Sequence, residues 1–372
     1  MRRQAYLDNL KVVLIAAIIA IHAVVGYSEL GWWSYADVRE VTLSPVTDTV
    51  LLVAVGPFGL FIIALLFLVA GLLTVPSLER KGTRAFVRDR LLRLGVPLAV
   101  FILVLQPTLM YALYHPLGAA PGSYWFEFLG VERQLDTGPL WFVGVLLIFS
   151  LVHAGWAKVR PHQPRPVRIT APRLLLLAVA VAAVTFPIRL VYPLGSESGF
   201  ADLNLWEWPA CMVLFGLGIT ASKQGWLTAV PDRVRRQSRV ATLTAAGAFM
   251  VFAVSGAVLG VDAEHVWGGW HWPAAAFVAM ESVLTVFGPV WLLGAAQRHL
   301  DRRVRWGAVT GRSAYGAFVL QGLVLIGLAV ALRPLPLPAE IKALVVAGGG
   351  AAGSFALAWL LISRVPGVAR II

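Results

Sequence analysis

Two ionisable side chains, Lys11 and His22, lie near the two ends of the first apolar segment, residues 10–27. They are eleven residues apart in the sequence, and in an α-helix that is a rotation of about 1100°, three turns plus roughly 20°. Both side chains are therefore predicted to share one helical face, about 16 Å apart along the axis. Imidazole gains and loses a proton near neutral pH. A histidine and a lysine that share one face of a membrane helix therefore predict a reaction site inside the protein.

His22 and Glu281 are the two intramembrane groups predicted to act in catalysis. A histidine at that depth can also be a neutral core residue that forms a hydrogen bond to one neighbour. Placing an ionisable side chain inside a membrane costs free energy, however, and this favours a functional role. Glu281 lies in the apolar segment 273–296 at a similar predicted depth, where a carboxylate could orient the imidazole and stabilise its cation. The alternative for Glu281 is an ion pair with Arg189 or a contact with helix backbone.

Ten apolar segments must position these residues. The chain has 372 residues, of which 59% are hydrophobic and 13% charged, with a mean hydropathy of +0.78, as is typical of membrane proteins. Segments of about 20 apolar residues can cross a bilayer as helices. We predict an all-α integral membrane protein, with residues 1–372 forming one domain and spans at about 10–27, 50–75, 94–114, 139–157, 173–192, 206–222, 240–260, 273–296, 313–332 and 340–362.

The linkers between these segments alternate in charge. Most of the 31 lysines and arginines lie on alternate linkers and near the two termini, whereas the linkers between them are acidic. The positive-inside rule then predicts a multi-pass protein of the cell membrane, a bacterial inner or plasma membrane, with cytoplasmic N- and C-termini. The net charge of +12 is thus explained by topology in the lipid bilayer, and no nucleic-acid partner is predicted.

Tryptophans concentrate at the predicted outer boundaries. An aromatic belt at the membrane interface is the usual explanation of such a pattern. The alternative is an aromatic platform for a sugar at the outer mouth, with His271 beside it. The residues concerned are Trp32, Trp33, Trp125, Trp141, Trp206, Trp208, Trp267, Trp270 and Trp272.

Five short motifs occur in a fixed order along the chain. Together they resemble the integral-membrane acyltransferase-3 family, which includes O-antigen acetylases and glucan succinyltransferase-like proteins. The resemblance covers nearly the whole chain, and its specificity comes from the ordered set rather than from any one motif. The motifs are Tyr6-Leu7-Asp8-Asn9-Leu10-Lys11 followed by His22, Phe67-Leu68-Val69-Ala70-Gly71, residues 86–97 with Arg90 and Arg93, Gly138-Pro139-Leu140-Trp141-Phe142, and residues 313–321 with Tyr315 and Gln321.

Three positions depart from the family's usual residues. Lys11 replaces a commoner arginine, and Ala70 stands where serine is usual. Gln321 stands where the family usually has histidine. Because a glutamine amide does not shuttle protons at neutral pH, only a hydrogen-bonding role is expected there.

The resemblance implies acyl transfer across the membrane. The acyl group, acetyl or succinyl, would pass from cytoplasmic acyl-CoA to a hydroxyl of an envelope glycan or lipid-linked sugar, with acetyl-CoA the favoured donor. His22 would either remove the hydroxyl proton or carry the acyl group covalently, and the residues do not decide between these roles. The sequence contains no Cys/His metal set, and no metal is predicted.

The remaining candidate residues would bind the two substrates. Lys11, Arg90, Arg93 and Arg312 are predicted to hold the phosphates of coenzyme A, although basic residues in such linkers also follow from topology alone. The spacing of Arg90 and Arg93 would keep both guanidinium groups on one side of a helix.

Trp141, Tyr315 and Gln321 are predicted to contact the substrates. Trp141 would lie on an outer path, and Tyr315 in a vestibule on the cytoplasmic side. Transfer between the two faces predicts one polar path from each side of the membrane, meeting near His22.

Two other functions fit parts of the pattern. In a proton-coupled secondary transporter or exporter of a sugar or lipid, His22 and Glu281 would form a proton relay. Against this, the sequence has no pair of matching broken helices in its two halves. The second is a non-catalytic scaffold, but that function would not explain why Lys11 and His22 share one helical face. Transfer from acyl-CoA, as opposed to uptake into sealed vesicles without it, distinguishes the enzyme from the transporter.

Overall fold

The computed structural model describes residues 4–31, 33–114, 136–159, 168–196, 202–302, 304 and 307–371, and the described part is helical without strands. Trp32 and Trp125 of the predicted aromatic platform lie outside the described residues. The all-α prediction is confirmed. So are the ten predicted spans, because ten described helices are long and apolar enough to cross a membrane.

Nine of the ten spans are longer than the apolar segments that predicted them, and the fifth is one residue shorter. Their bounds are α1 Ala5–Val25, α2 Pro45–Lys81, α3 Thr83–Leu113, α4 Gly138–Val159, α5 Ala171–Arg189, α6 Leu205–Lys223, α7 Asp232–Leu259, α8 Trp272–His299, α9 Val309–Leu332 and α10 Ala339–Arg364. The helix α2 begins at Pro45, directly after Ser44. The Ser44 side chain accepts a hydrogen bond from the Thr47 amide and so caps the helix. This explains why α2 begins before its apolar segment does.

The helices pack in two groups. α1 packs against both α9 and α10, which also pack against each other. In the second group, α2 and α8 are the most buried spans and pack together, with α6 against α2 and with α5 and α7 against α8. The C-terminal part of α1 and the N-terminal parts of α2 and α8 line one space between the helices.

The first helix begins earlier than the apolar pattern predicted. It starts at Ala5, so the polar residues of the first motif lie inside it and bond to neighbouring loops. The Tyr6 hydroxyl donates to the Leu227 carbonyl, and the Asn9 amide donates to the carbonyls of Leu300 and Arg302. With the helix ending at Val25, His22 lies in its last turn. His22 is thus near the end of α1, as its place in the apolar segment predicted, and its depth in the bilayer stays a prediction.

A close contact between α2 and α6 explains the glycine of the second motif. A Cβ atom added to Gly71 would lie 2.2 Å from the Phe215 carbonyl oxygen, and one added to Gly218 would lie 2.3 Å from that of Leu68. Both distances are shorter than non-bonded atoms tolerate. Small residues at such crossings allow helices in a membrane to approach closely.

We expect the Gly218→Ala variant to lose about 1–3 kcal/mol of stability, because the added methyl group must push the two helices apart. A Gly216→Ala variant on the same helix is the matched control, since a Cβ there meets nothing within 4 Å. Thermal unfolding in detergent measures both. Equal melting temperatures for the two variants would contradict the packing argument.

Candidate functional site

A large cavity opens at the end of the bundle at which α1 ends. It has a volume of about 1420 Å³ and is lined by His22, parts of α2, α7 and α8, and the segments that precede α4 and α6. Pockets for small ligands commonly have volumes of about 300–1000 Å³, so this space exceeds what one small molecule needs. We call it the His22 cavity.

The His22 ring is held on two sides. Its Nδ1 lies 2.9 Å from Oε1 of Gln321, on α9. Its face stacks on the Trp33 indole, with ring centroids 4.6 Å apart and an interplanar angle of 14°. Because an amide oxygen only accepts hydrogen bonds, this contact places the ring proton on Nδ1 and leaves the lone pair on Nε2. The site therefore presents a fixed imidazole with one basic nitrogen.

Gln321 is fully buried at this contact. Its amide oxygen bonds to His22, and its Nε2 has no hydrogen-bond partner within the described structure. The hydrogen-bonding role that the sequence left open for this position is present. Trp33 was not predicted as a partner of His22, because the sequence indicated only that it lies in a loop near the membrane boundary.

Glu281 lines the same cavity but bonds to a different residue. Its Oε1 accepts a hydrogen bond of 2.8 Å from Arg189 Nη2, at the end of α5. Both side chains are buried, and the guanidinium lies 5.7 Å from the Trp206 ring and 5.6 Å from the Phe277 ring. The predicted orienting contact with His22 is thus made by Gln321, and the ion pair with Arg189 is the alternative that the structure supports. A catalytic role for Glu281 stays a prediction.

Carboxylates dominate the charged lining of the cavity. Among the described lining residues there is no lysine or arginine. Burial raises the pKa of the Asp136 carboxyl, helped by the nearby charge of Asp202, although Asp136 accepts hydrogen bonds from the Gly138 amide and Gln106. The acidic lining residues are Asp37, Asp48, Asp136, Asp202, Glu207 and Glu281.

A strained segment carries part of this wall. Asp202 and Asn204 have positive φ angles of 36° and 49°, a region that few residues other than glycine adopt. The Asp202 carbonyl is held by a 2.8 Å hydrogen bond from the Thr137 hydroxyl. The turn leads directly into Trp206 and Glu207, which line the cavity. Such strain is often found at functional sites.

The residues predicted to hold coenzyme A lie outside the His22 cavity. None of Lys11, Arg90, Arg93 and Arg312 lines it. Arg90 is half-buried, its guanidinium lying 4.9 Å from the Phe86 ring, and its Nε has no partner in the described structure. Arg93 is exposed and forms a 3.3 Å ion pair with Asp89. The two arginines therefore have different environments in spite of their helical spacing.

The residues of the two predicted polar paths differ in their relation to the His22 cavity. Trp141 lines the His22 cavity, as an outer path requires, whereas Tyr315 does not. On α9, Phe318 lies between Tyr315 and Gln321, fully buried and edge-to-face with Phe142 at 5.0 Å. The Tyr315 hydroxyl is also buried and has no partner within the described residues. Along α9, the buried Phe318 thus separates Tyr315 from Gln321, the partner of His22.

Comparisons with known proteins bear on the whole chain. The family model described as an acyltransferase domain, that of the acyltransferase-3 family, matches residues 4–363. That range contains His22, Gln321, nine of the ten spans and all but the last residue of the tenth. No curated protein and no solved structure matches the chain significantly.

Proposed function

The chain belongs to the acyltransferase-3 family and is a membrane acyltransferase, and from this premise we propose that it transfers an acyl group from cytoplasmic acyl-CoA to a hydroxyl of an envelope glycan or lipid-linked sugar. One observation carries the proposal. His22, held by Gln321 and Trp33, lines a cavity large enough for a glycan.

His22 acts as the general base in this proposal. Its Nε2 takes the proton of the acceptor hydroxyl while the hydroxyl oxygen attacks the thioester carbonyl carbon. The carbon–sulfur bond then breaks, and the imidazolium returns the proton to the coenzyme A thiolate. A covalent acyl-histidine is the other route. The fixed ring favours the base, because contacts on two sides hinder the ring from carrying a group between substrates.

The donor approaches from the Lys11 end of the bundle. Coenzyme A is strongly anionic, so the acidic lining of the His22 cavity would repel its phosphates. Arg90 and Arg93, with Lys11 and Arg312, lie at the other end and are proposed to bind those phosphates. This placement fits cytoplasmic N- and C-termini in a bacterial inner or plasma membrane.

The thioester reaches His22 between α1 and α9. The unpartnered Tyr315 hydroxyl and Gln321 Nε2 are two buried donors on this route. Unsatisfied buried donors are costly, and the amide carbonyls of the coenzyme A arm could satisfy them. The route requires Phe318 to move, as expected of a donor channel that opens when acyl-CoA binds.

An acetyl group suits this site better than a succinyl group. The transferred group enters a space whose charged lining residues are carboxylates. A succinyl group adds another negative charge, whereas an acetyl group is neutral. We therefore propose acetyl-CoA as the donor.

The test is acetyl transfer by the purified protein in proteoliposomes. Isotope-labelled acetyl-CoA is supplied on one face, with alkali-deacylated envelope glycan of the producing cells as acceptor on the other. We expect label in the glycan, and an acetyl mass that is lost from envelope glycans when the gene is deleted. Sugar uptake into sealed vesicles without acetyl-CoA, together with no transfer of label, would show a transporter instead.

A further inference from the structure

We infer that the acceptor is a neutral glycolipid whose hydrocarbon tail lies in an apolar cleft of the His22 cavity, between α2 and α7. The inference rests on the proposed function, because it assumes that the cavity receives the acceptor. It deepens that function by naming the class of acceptor. The sugar head lies at His22, and the tail follows the two helices into the membrane.

One face of α2 forms the first wall of this cleft. Between residues 51 and 63 of α2, every residue that lines the cavity is apolar. From Leu52 onward the lining residues are Leu52, Val55, Gly56, Gly59, Leu60 and Ile63. They follow one another at alternating intervals of three residues and one residue, which is the spacing of one helical face, and the stripe runs about 16 Å along the axis. Leu52 and Val55 are 38% and 39% exposed, so the wall is accessible.

One face of α7 forms the second wall, with the same spacing. Its lining residues are also all apolar, and they are Phe249, Phe252, Ala253, Gly256 and Ala257. Phe249 lies close to α2, because a Cβ atom added to Gly56 would be 3.4 Å from its ring. A Cβ atom added to Gly59 would meet nothing within 4 Å. The two walls therefore approach each other near Gly56 and leave open space at Gly59.

The cleft lies in the membrane-spanning part of the protein. Its walls belong to two spans, and their lining residues fall within the apolar segments 50–75 and 240–260. Backbone polar groups in such helices are hydrogen-bonded within the helix, so the walls present apolar surface. Of the ten described spans, α7 is the least buried, which places it at the edge of the bundle. A tail therefore enters the cleft from the bilayer, between α2 and α7.

The polar lining of the cavity lies outside the cleft. His22 is on α1, and the acidic lining residues are on other segments or, for Asp48, in the first turn of α2. Sugar hydroxyls donate hydrogen bonds to carboxylates, whereas a phosphate or uronic acid would meet like charge, since the described lining has no lysine or arginine. A free glycan would leave the apolar cleft unfilled. A neutral sugar head on a hydrocarbon tail matches both parts of the cavity.

The tail acts mainly by positioning the sugar. A tail in the bilayer is already out of water, so its transfer to the cleft gains little hydrophobic free energy. Confinement to the membrane raises the concentration of the acceptor near the protein. A tail held between two helices also restricts the head to the neighbourhood of His22, and such restriction speeds a reaction between bound groups.

The first experiment compares acceptors with and without a tail. The unaltered protein in nanodiscs receives labelled acetyl-CoA and the neutral glycolipid fraction from the envelope of cells that lack the gene. Acid methanolysis of the same fraction gives methyl glycosides and free lipid, so the sugars are no longer attached to tails. At equal sugar concentration, we expect about tenfold less label in the methyl glycosides than in the intact glycolipids. Equal labelling, or label mainly in anionic glycolipids separated by anion exchange, would overturn the inference.

Two variants test whether the tail lies in the cleft. Gly59→Leu fills the open space, and Val55→Asn places an amide on the wall. Each should raise the half-saturating concentration of the neutral glycolipids about tenfold. Gly247→Leu and Val251→Asn are the matched controls and should leave it unchanged, because both residues are exposed on α7 and do not line the cavity. All variants share one bilayer, so partitioning of the acceptor is the same for each, and equal effects of the two pairs would overturn the assignment.

Photocrosslinking without acetyl-CoA reports occupation of the cleft by itself. The probe is dodecyl glucoside with a diazirine at the end of its chain, added to the protein in nanodiscs. We expect crosslinks within residues 52–63 and 249–257. The intact neutral glycolipids should suppress them about tenfold more effectively than the methanolysed fraction does. Equal suppression would show that the cleft holds bilayer lipid only and would overturn the inference, as would crosslinks confined to other spans.

These measurements separate this inference from the proposed function. If the probe crosslinks in the cleft and intact glycolipids displace it, but no acetyl group reaches any acceptor, the cleft stands and the proposed reaction fails. If acetyl groups reach methyl glycosides and glycolipids equally, the reaction stands and the cleft fails. Should Gly59→Leu not fold, Val55→Asn and the crosslinks of the unaltered protein still decide.

Discussion

We expect the His22→Ala variant to lose acetyl transfer by at least a factor of about 100, within the range of about 10²–10⁴ that a positioned general base contributes. The variant removes the imidazole, whose residue lines the cavity and which Gln321 and Trp33 hold in place. Folding and membrane insertion should be retained, because His22 is only half-buried, in the last turn of α1. Initial rates of label transfer in proteoliposomes, at equal amounts of folded protein, measure the loss.

Three further variants show whether the loss comes from the base. His22→Gln keeps a polar side chain of similar size without a basic nitrogen, so it should be as inactive as His22→Ala. Gln321→Leu removes the Nδ1 contact but leaves the imidazole, so its loss should be smaller. His299→Ala is the matched control, because His299 is exposed at the other end of the bundle. A His22→Ala variant that keeps more than a tenth of the activity would remove His22 from the mechanism.

The sequence predicts the spans well because the bilayer imposes a simple requirement. A segment of about 20 apolar residues is stable in a bilayer as a helix that spans it. The length and composition of the segment are therefore enough to predict the span. The ends of the helices are less well predicted. The apolar pattern places the polar residues Tyr6 and Asn9 before α1. In the structure they belong to the helix, and their side chains donate hydrogen bonds to loops that the apolar pattern does not describe.

The contacts of the site were harder to predict than its residues. His22 and Gln321 are 299 positions apart, and the family motifs indicated both without indicating their hydrogen bond. The apolar pattern predicts similar depths in the membrane for Glu281 and His22, and both residues line one cavity. Depth does not determine the rotation of a helix about its axis, however, and the structure turns Glu281 towards Arg189.

The segment that carries Trp33 also carries Glu40, which forms a buried ion pair with Lys342 on α10. Lys342 is 1% exposed, and its Nζ lies 2.6 Å from Oε1 of Glu40. The other oxygen of Glu40 accepts a 2.6 Å hydrogen bond from the Tyr35 hydroxyl. Burial alone would raise the pKa of the Glu40 carboxyl, but the hydrogen bonds from Lys342 and Tyr35 outweigh it and lower that pKa.

This lowered pKa gives the ion pair a pH dependence with a definite sign. A carboxyl whose pKa is lower in the folded state contributes stability above its unfolded pKa, and the contribution is lost as the pH falls through the folded value. For Glu40 the contribution should be complete at neutral pH and should decline below about pH 4.

We expect the Glu40→Gln variant to lose about 3 kcal/mol of stability at neutral pH, because it leaves the buried Lys342 ammonium without a counter-charge. Since the ion pair holds the segment that carries Trp33, transfer should also slow several-fold at temperatures where the variant is still folded. Thermal unfolding and initial rates measure the two effects. The double variant Glu40→Gln, Lys342→Met removes both charges and should recover most of the stability. Recovery of stability with transfer still slow would show that the ion pair positions Trp33, whereas a double variant no more stable than Glu40→Gln would contradict an uncompensated charge as the cause.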